Sequence, residues 1–128
     1  MQLILSEENL HHLWGSATEY WFSRTDYTIH KYSDLPSEDH TVLVEHGFIP
    51  FLTISNEEVI RAYMKSLDNP KLSDKLDGLS SEECVETFWK YFNAYEDVSS
   101  GFSEFEKKFV EKKFTEWCIE NAVEYKVI

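Results

Sequence analysis

Glycine is scarce in this chain, with four in 128 residues, well separated from one another. No glycine-rich loop is available to cradle a phosphate, and there is no nucleophile elbow. Cysteine is scarcer still. Cys84 and Cys118 lie 34 positions apart, and neither belongs to a closely spaced Cys or His pattern of the zinc type. Both read as free, structural thiols in a reducing compartment, with one disulfide between two helices as the alternative. Glu82 and Glu83 beside Cys84 favour its protonated form, which argues against a nucleophile there. No apolar stretch approaches the ~20 residues of a membrane helix. Residues 1–5 carry no basic segment before a long apolar run, so no secretory signal is expected and the cytoplasm is the expected location.

Positive charge is the remaining shortage. Residues 1–60 hold ten Asp and Glu but only two basic residues, Arg24 and Lys31. The other sixty-eight hold fourteen acids and ten bases, so the net charge of −12 divides into −8 and −4. Such a surface repels nucleic acid and anionic lipid and attracts basic proteins. Aromatic residues are plentiful, with nine Phe, seven Tyr and four Trp. They remove large areas from water, so the chain reads as a folded domain rather than a disordered acidic tail.

Residues 2–5 read as a short strand. Ser6 is placed to cap a helix whose positive end suits Glu7 and Glu8. Leu10, Leu13, Trp14, Ala17 and Trp21 follow at helical spacing as one apolar stripe, with Gly15, His11 and His12 off it. Residues 26–32 are rich in β-formers and alternate, so they read as a strand. Residues 33–40, with Pro36, read as a loop, and 41–45 as a second β-like run ended by Gly47. Residues 48–54 make a third, which Pro50 confines to a sheet edge. Beyond that the pattern is helical. Ser55 with Glu58, and Ser80 with Glu83, have capping-box spacing. Apolar stripes run through Val59, Ile60, Tyr63, Met64 and Leu67, through Val85, Phe88, Trp89, Phe92 and Tyr95, and through Phe102, Phe105, Phe109, Val110, Phe114, Trp117 and Cys118. Asn69-Pro70 stops the first, residues 72–76 suit a short helix ended at Gly78, and 123–128 suit a returning strand.

No residue group carries a strong catalytic signature. His11 and His12 are adjacent, so on a helix they point about 100° apart and cannot chelate one metal together. The acid pairs Glu7-Glu8, Glu57-Glu58 and Glu82-Glu83 fall in first helical turns, where they complement the helix dipole. The lysines Lys107, Lys108, Lys112 and Lys113 are interleaved with Glu104, Glu106, Glu111 and Glu116, so they read as a solvated helix face. Residues 34–45 differ. Asp34, Glu38, Asp39 and Glu45 have no compensating cation there, and Tyr20, Trp21, Tyr27 and Tyr32 lie close in sequence. Acids among aromatics suit a basic partner, because charge speeds encounter and rings supply contact area.

The run Glu116-Trp117-Cys118-Ile119-Glu120-Asn121, followed by Val123-Glu124-Tyr125, resembles the closing signature of a bacterial family of uncharacterised small acidic proteins. Phe102-Ser103-Glu104-Phe105 precedes it where that family has an aromatic-x-x-Phe motif. Phe48-Ile49-Pro50 with the helix at 59–67, and Leu5-Ser6-Glu7 more faintly, also look like the family's layout. Where the family has basic residues after its central Phe, Phe88 is followed here by Trp89 and a single lysine, Lys90. Glu106 stands after Phe105 in place of an arginine. The resemblance implies a fold and a bacterial cytosolic setting, and no activity.

The expected fold is α+β: a small N-terminal antiparallel sheet with one helix, packed on a C-terminal bundle of three to four helices. One domain is expected, with helix and sheet in residues 1–54 and mainly helices in 55–128. Trp89 and Trp117 are expected to be buried, so that either changed to Ala costs ~3–5 kcal/mol. The expected function is a non-catalytic acidic protein that captures a basic protein partner, such as an immunity or antitoxin-type inhibitor of a nuclease toxin. Its contact surface would comprise Asp34, Glu38, Asp39, Glu45, Trp21 and Tyr32. No cofactor, nucleic acid or membrane is expected. The alternatives are a metal-dependent hydrolase built on His30, Glu45 and His46 with Asp26 nearby, and a self-associating scaffold whose exposed aromatics form a homodimer.

Overall fold

The computed structural model describes residues 1–14 and 19–127, with the backbone alone at Glu7, Glu8 and His11. Gly15 and Ala17 of the expected first helix, and Ile128, lie outside the described residues. Along the chain run β1 (Leu3–Leu5), α1 (Glu7–Leu13), β2 (Tyr20–Ser23), β3 (Thr28–Lys31), a 3-10 turn (Tyr32–Asp34), α2 (His40–Glu45), β4 (Phe48–Pro50), α3 (Asn56–Ser66), α4 (Pro70–Asp77), α5 (Ser81–Ala94), α6 (Glu96–Ser99), α7 (Phe102–Glu120) and β5 (Tyr125–Val127). The class is α+β, with a small antiparallel sheet and helices first and a helical C-terminal region after. The chain forms two compact units, residues 1–53 with 111–128, and residues 54–110.

In the first unit Ser6 caps α1, its hydroxyl accepting from the Asn9 N–H at 3.4 Å. The expected stripe to Trp21 is cut short. α1 stops at Leu13, Trp14 is extended, and Trp21 lies in β2. Tyr20, Trp21 and Phe22 are aromatic β-formers, and a short apolar run fits either period until partners decide. Here β2 has partners on both sides. The antiparallel order is β3-β2-β4, pairing Phe22 with Ile29 and with Ile49. Pro50 sits on the edge strand β4, where it withholds no ladder bond.

Residues 41–45 are helical, not the expected strand. The Asp39 carboxylate accepts from the Thr41 N–H at 2.9 Å and starts α2, and fully buried Leu43 anchors it. That local cap, with a core contact, outweighs the β preference of Thr41, Val42 and Val44. Gly47 ends the turn at φ +86°, where an added Cβ would meet the Thr25 hydroxyl at 3.2 Å.

The returning strand forms as expected. β5 pairs in parallel with β1, Leu3 against Tyr125 and Leu5 against Val127. α7 delivers it through a Schellman turn. The Val123 N–H donates to the Cys118 carbonyl at 2.8 Å and the Ala122 N–H to that of Ile119 at 3.2 Å. Ala122 takes the left-handed position, φ 54°, that glycine usually fills. Leu13, Trp21, Phe22, Leu43, Phe114 and Cys118 form this unit's buried centre. The Trp117 ring stands edge-on to Phe51 at 5.1 Å and to Phe22 at 5.7 Å.

The second unit is all helix. Ser55 and Glu58 form the expected capping box, and Ser80 accepts from the Glu83 N–H at 3.3 Å. Val59, Ile60, Tyr63 and Met64 bury one face of α3, and the Tyr63 hydroxyl donates to the Val98 carbonyl at 2.5 Å. Arg61 joins three elements. Its guanidinium donates to Glu57 at 2.8 Å and to the carbonyls of Leu76 at 2.8 Å and Leu79 at 2.9 Å. Glu57 in turn accepts from the Ser81 hydroxyl at the start of α5.

The expected core stripe of α5 is only partly buried. Cys84 and Phe88, four apart, are its buried line. Trp89 is one residue further, about 100° round the helix, and is 44% exposed. Tyr95 caps the helix end and is also exposed. The expected burial therefore holds for Trp117 and not for Trp89.

Candidate acidic-aromatic surface

Tyr32 is the centre of the segment that the sequence singles out. It leaves β3 into the 3-10 turn, its N–H donating to the Glu19 carbonyl at 2.9 Å. Its hydroxyl donates to the Glu38 carbonyl and so closes the loop ahead of α2. The ring packs 6.0 Å from Trp21 and 5.5 Å from His40, and His40 lies edge-on to Trp21 at 5.0 Å. Three aromatic rings thus fix the loop on β2.

The electrostatics are one-signed. Burial, and then the charges of Glu19, Glu38 and Asp39, raise the Tyr32 phenol above its ordinary range. The charges that raise it are all carboxylates. Glu19 was not among the expected surface residues. Its carboxylate accepts from the Trp21 indole N–H at 3.3 Å, and the signal was its i, i+2 spacing from Trp21, which puts both on one side of an extended chain.

The expected surface residues divide. Asp34, Glu38, Asp39 and Glu45 are exposed, and Tyr32 is half-buried. Trp21 is 1% exposed, so it supports the loop from beneath and offers a partner no area. Asp39 is committed to capping α2. Val44, 57% exposed, adds an apolar contact beside Glu45.

The fold softens the charge asymmetry of the two sequence halves. Residues 111–128 return Lys112, Lys113 and Lys126 to the first unit, which then carries twelve acids and five bases. The second unit carries twelve and seven. What remains concentrated is local to the first unit, since residues 32–53 contain four acids and no Lys or Arg. Elsewhere some of the lysines are paired, as in Lys108 with Glu104 at 3.2 Å and Lys112 with Glu116 at 4.0 Å.

The histidines do not gather. Among the described residues no group of three or more His, Cys, Asp and Glu is placed to hold a metal ion, so His30, Glu45 and His46 do not form the hydrolase centre of the alternative reading. His30 instead joins a hairpin chain. Its Nε2 is 2.6 Å from the Thr28 hydroxyl, which donates to Asp26 at 2.6 Å. The Thr28 and Ser23 hydroxyls hold the Asp26 carboxyl below its usual range. His12 packs on Tyr20 at 4.6 Å, and the His11 side chain lies outside the described residues. Cys84 and Cys118 are free and buried. Burial raises both thiols, that of Cys118 to about 11, so neither is a ready thiolate.

No protein-family model matches the chain. No curated protein and no solved structure matches it either. Among the described residues no helix is long and apolar enough to cross a membrane.

Proposed function

We propose that this is a non-catalytic acidic protein that captures a basic protein partner, with Asp34, Glu38 and Glu45 as its exposed charges and Tyr32 and Val44 as its contact area. An immunity or antitoxin-type inhibitor of a nuclease toxin is one such protein, because an acidic surface can occupy a site built for phosphates. The observation that carries the reading is the exposure of Asp34, Glu38 and Glu45 in residues 32–53, a stretch that holds four acids and no Lys or Arg. This stretch is tied down by the Tyr32 hydroxyl and the Asp39 cap, so little ordering entropy opposes docking. The family resemblance adds a bacterial cytosolic setting to this proposal.

The test is capture from the native host by the wild type and by an Asp34→Lys/Glu38→Lys variant, with the bound proteins identified by mass. Neither substitution touches the cap. The wild type should retain a protein of high isoelectric point that the variant releases. The same bound set on both would contradict the proposal.

A further inference from the structure

The second unit exposes the Trp89 indole, backed by the core aromatic Phe102. Trp89 is the most exposed tryptophan among the described residues, yet its ring is not loose. It lies 5.1 Å from Phe92, 5.2 Å from Phe88 and 6.0 Å from Phe102, at interplanar angles of 66°, 69° and 85°. Three rings thus fix one side of the indole while 44% of the residue faces solvent. Carboxylates stand on the same helix faces. Glu86 precedes Trp89 by three residues on α5 and is exposed. Glu106 follows Phe102 by four on α7 and is half-buried, its carboxylate making no hydrogen bond or ion pair with a described residue. Burial alone raises its carboxyl above the usual range.

We infer that the exposed face of Trp89, backed by Phe92 and Phe102 and with Glu86 and Glu106 a turn from Trp89 and Phe102 on their own helices, is the seat of an arginine side chain on a basic protein partner. A guanidinium stacks flat on an indole held in place, while its N–H groups satisfy carboxylates at the rim. Lysine fits less well, since its compact ammonium lacks the planar face. A second copy of this chain is the poorer occupant, because each copy carries −12. The inference rests on the reading of the chain as a binder of basic proteins and assigns that binding a second contact.

The test titrates the full chain at low salt with a short arginine-rich peptide, the same peptide with lysine for arginine, and one with glutamate for arginine. Nitrogen–proton correlation spectra report on every backbone amide and on the Trp89 indole. The arginine peptide should move the Trp89 indole and bind more tightly than the lysine one, and the glutamate peptide should do nothing. Trp89→Leu keeps the apolar packing but removes the π face, and should weaken arginine-peptide binding about fivefold or more. Glu106→Gln should weaken it as well. Shifts confined to residues 32–45 would overturn this assignment and leave the proposed function standing. No binding of either cationic peptide would overturn both. Concentration-dependent dimerisation in sedimentation that Trp89→Leu abolishes would also overturn it, in favour of a second copy.

Discussion

Replacing Arg61 should show what holds the helical unit together. Its guanidinium donates to one carboxylate and two backbone carbonyls, all within 2.9 Å. Hydrogen bonds involving a charged group contribute roughly 1.5–3 kcal/mol each, but three from one side chain do not add. Two features reduce the loss in Arg61→Ala. The Leu76 carbonyl keeps the Leu79 N–H at 3.1 Å, and Glu57 keeps the Ser81 hydroxyl. The side chains of Arg61 and Glu57 are about a quarter exposed, at 26% and 28%, so water replaces part of what is removed. The expected cost is about 2 kcal/mol, a shift of roughly 1 M in urea midpoint at ordinary slopes. Arg61→Lys should recover less than half, since one ammonium cannot reach three acceptors in a fork. Arg61→Met keeps the aliphatic stem and should fall between alanine and lysine. Urea unfolding followed by circular dichroism measures all three. If lysine matched arginine within ~0.5 kcal/mol, the fork geometry would be irrelevant and the reasoning wrong.

Three further outcomes follow from the fold. Trp117→Ala should cost ~3–5 kcal/mol, whereas Trp89→Ala, already 44% exposed, should cost about 1 kcal/mol, and urea midpoints would separate them. Ala122→Gly should stabilise by about 0.5–1 kcal/mol, because glycine takes the left-handed Schellman position without strain, and a lower melting temperature would contradict this. The depressed Asp26 carboxyl contributes stability that is present above the ordinary unfolded carboxylate value and is lost as pH falls through the lower folded one. Thr28→Val should move the Asp26 titration, read from its carboxyl carbon by NMR, back toward the ordinary range.

Capping chemistry and the edge proline were legible because they are local. Ser55 with Glu58, Ser80, and Pro50 each act through atoms within a few residues; Ser55 with Glu58 and Pro50 took their expected roles, and Ser80 made its half of the expected box. The two misread elements were short. The β-branched residues of α2 point to a strand, and only the Asp39 cap and the burial of Leu43 make it a helix. Trp21 fits both periods, and its pairing with β3 and β4 decided between them. The parallel pairing of β1 with β5 joins residues over 120 positions apart, for which no local signal exists. The acids of the 34–45 loop were visible by composition alone. Glu19 was missed because the aromatic helix pattern hid its extended spacing to Trp21, and the burial of Trp21 was missed for the same reason.

The most direct test of the account is the association rate of the captured partner, followed by stopped flow across ionic strength. From 0.01 to 0.15 M salt the screening length falls from about 30 to about 8 Å. Encounter steered by the acidic loop should slow by about tenfold or more over that range, and much less in the Asp34→Lys/Glu38→Lys variant. A wild-type rate indifferent to salt would contradict the claim that this loop draws in a cationic protein.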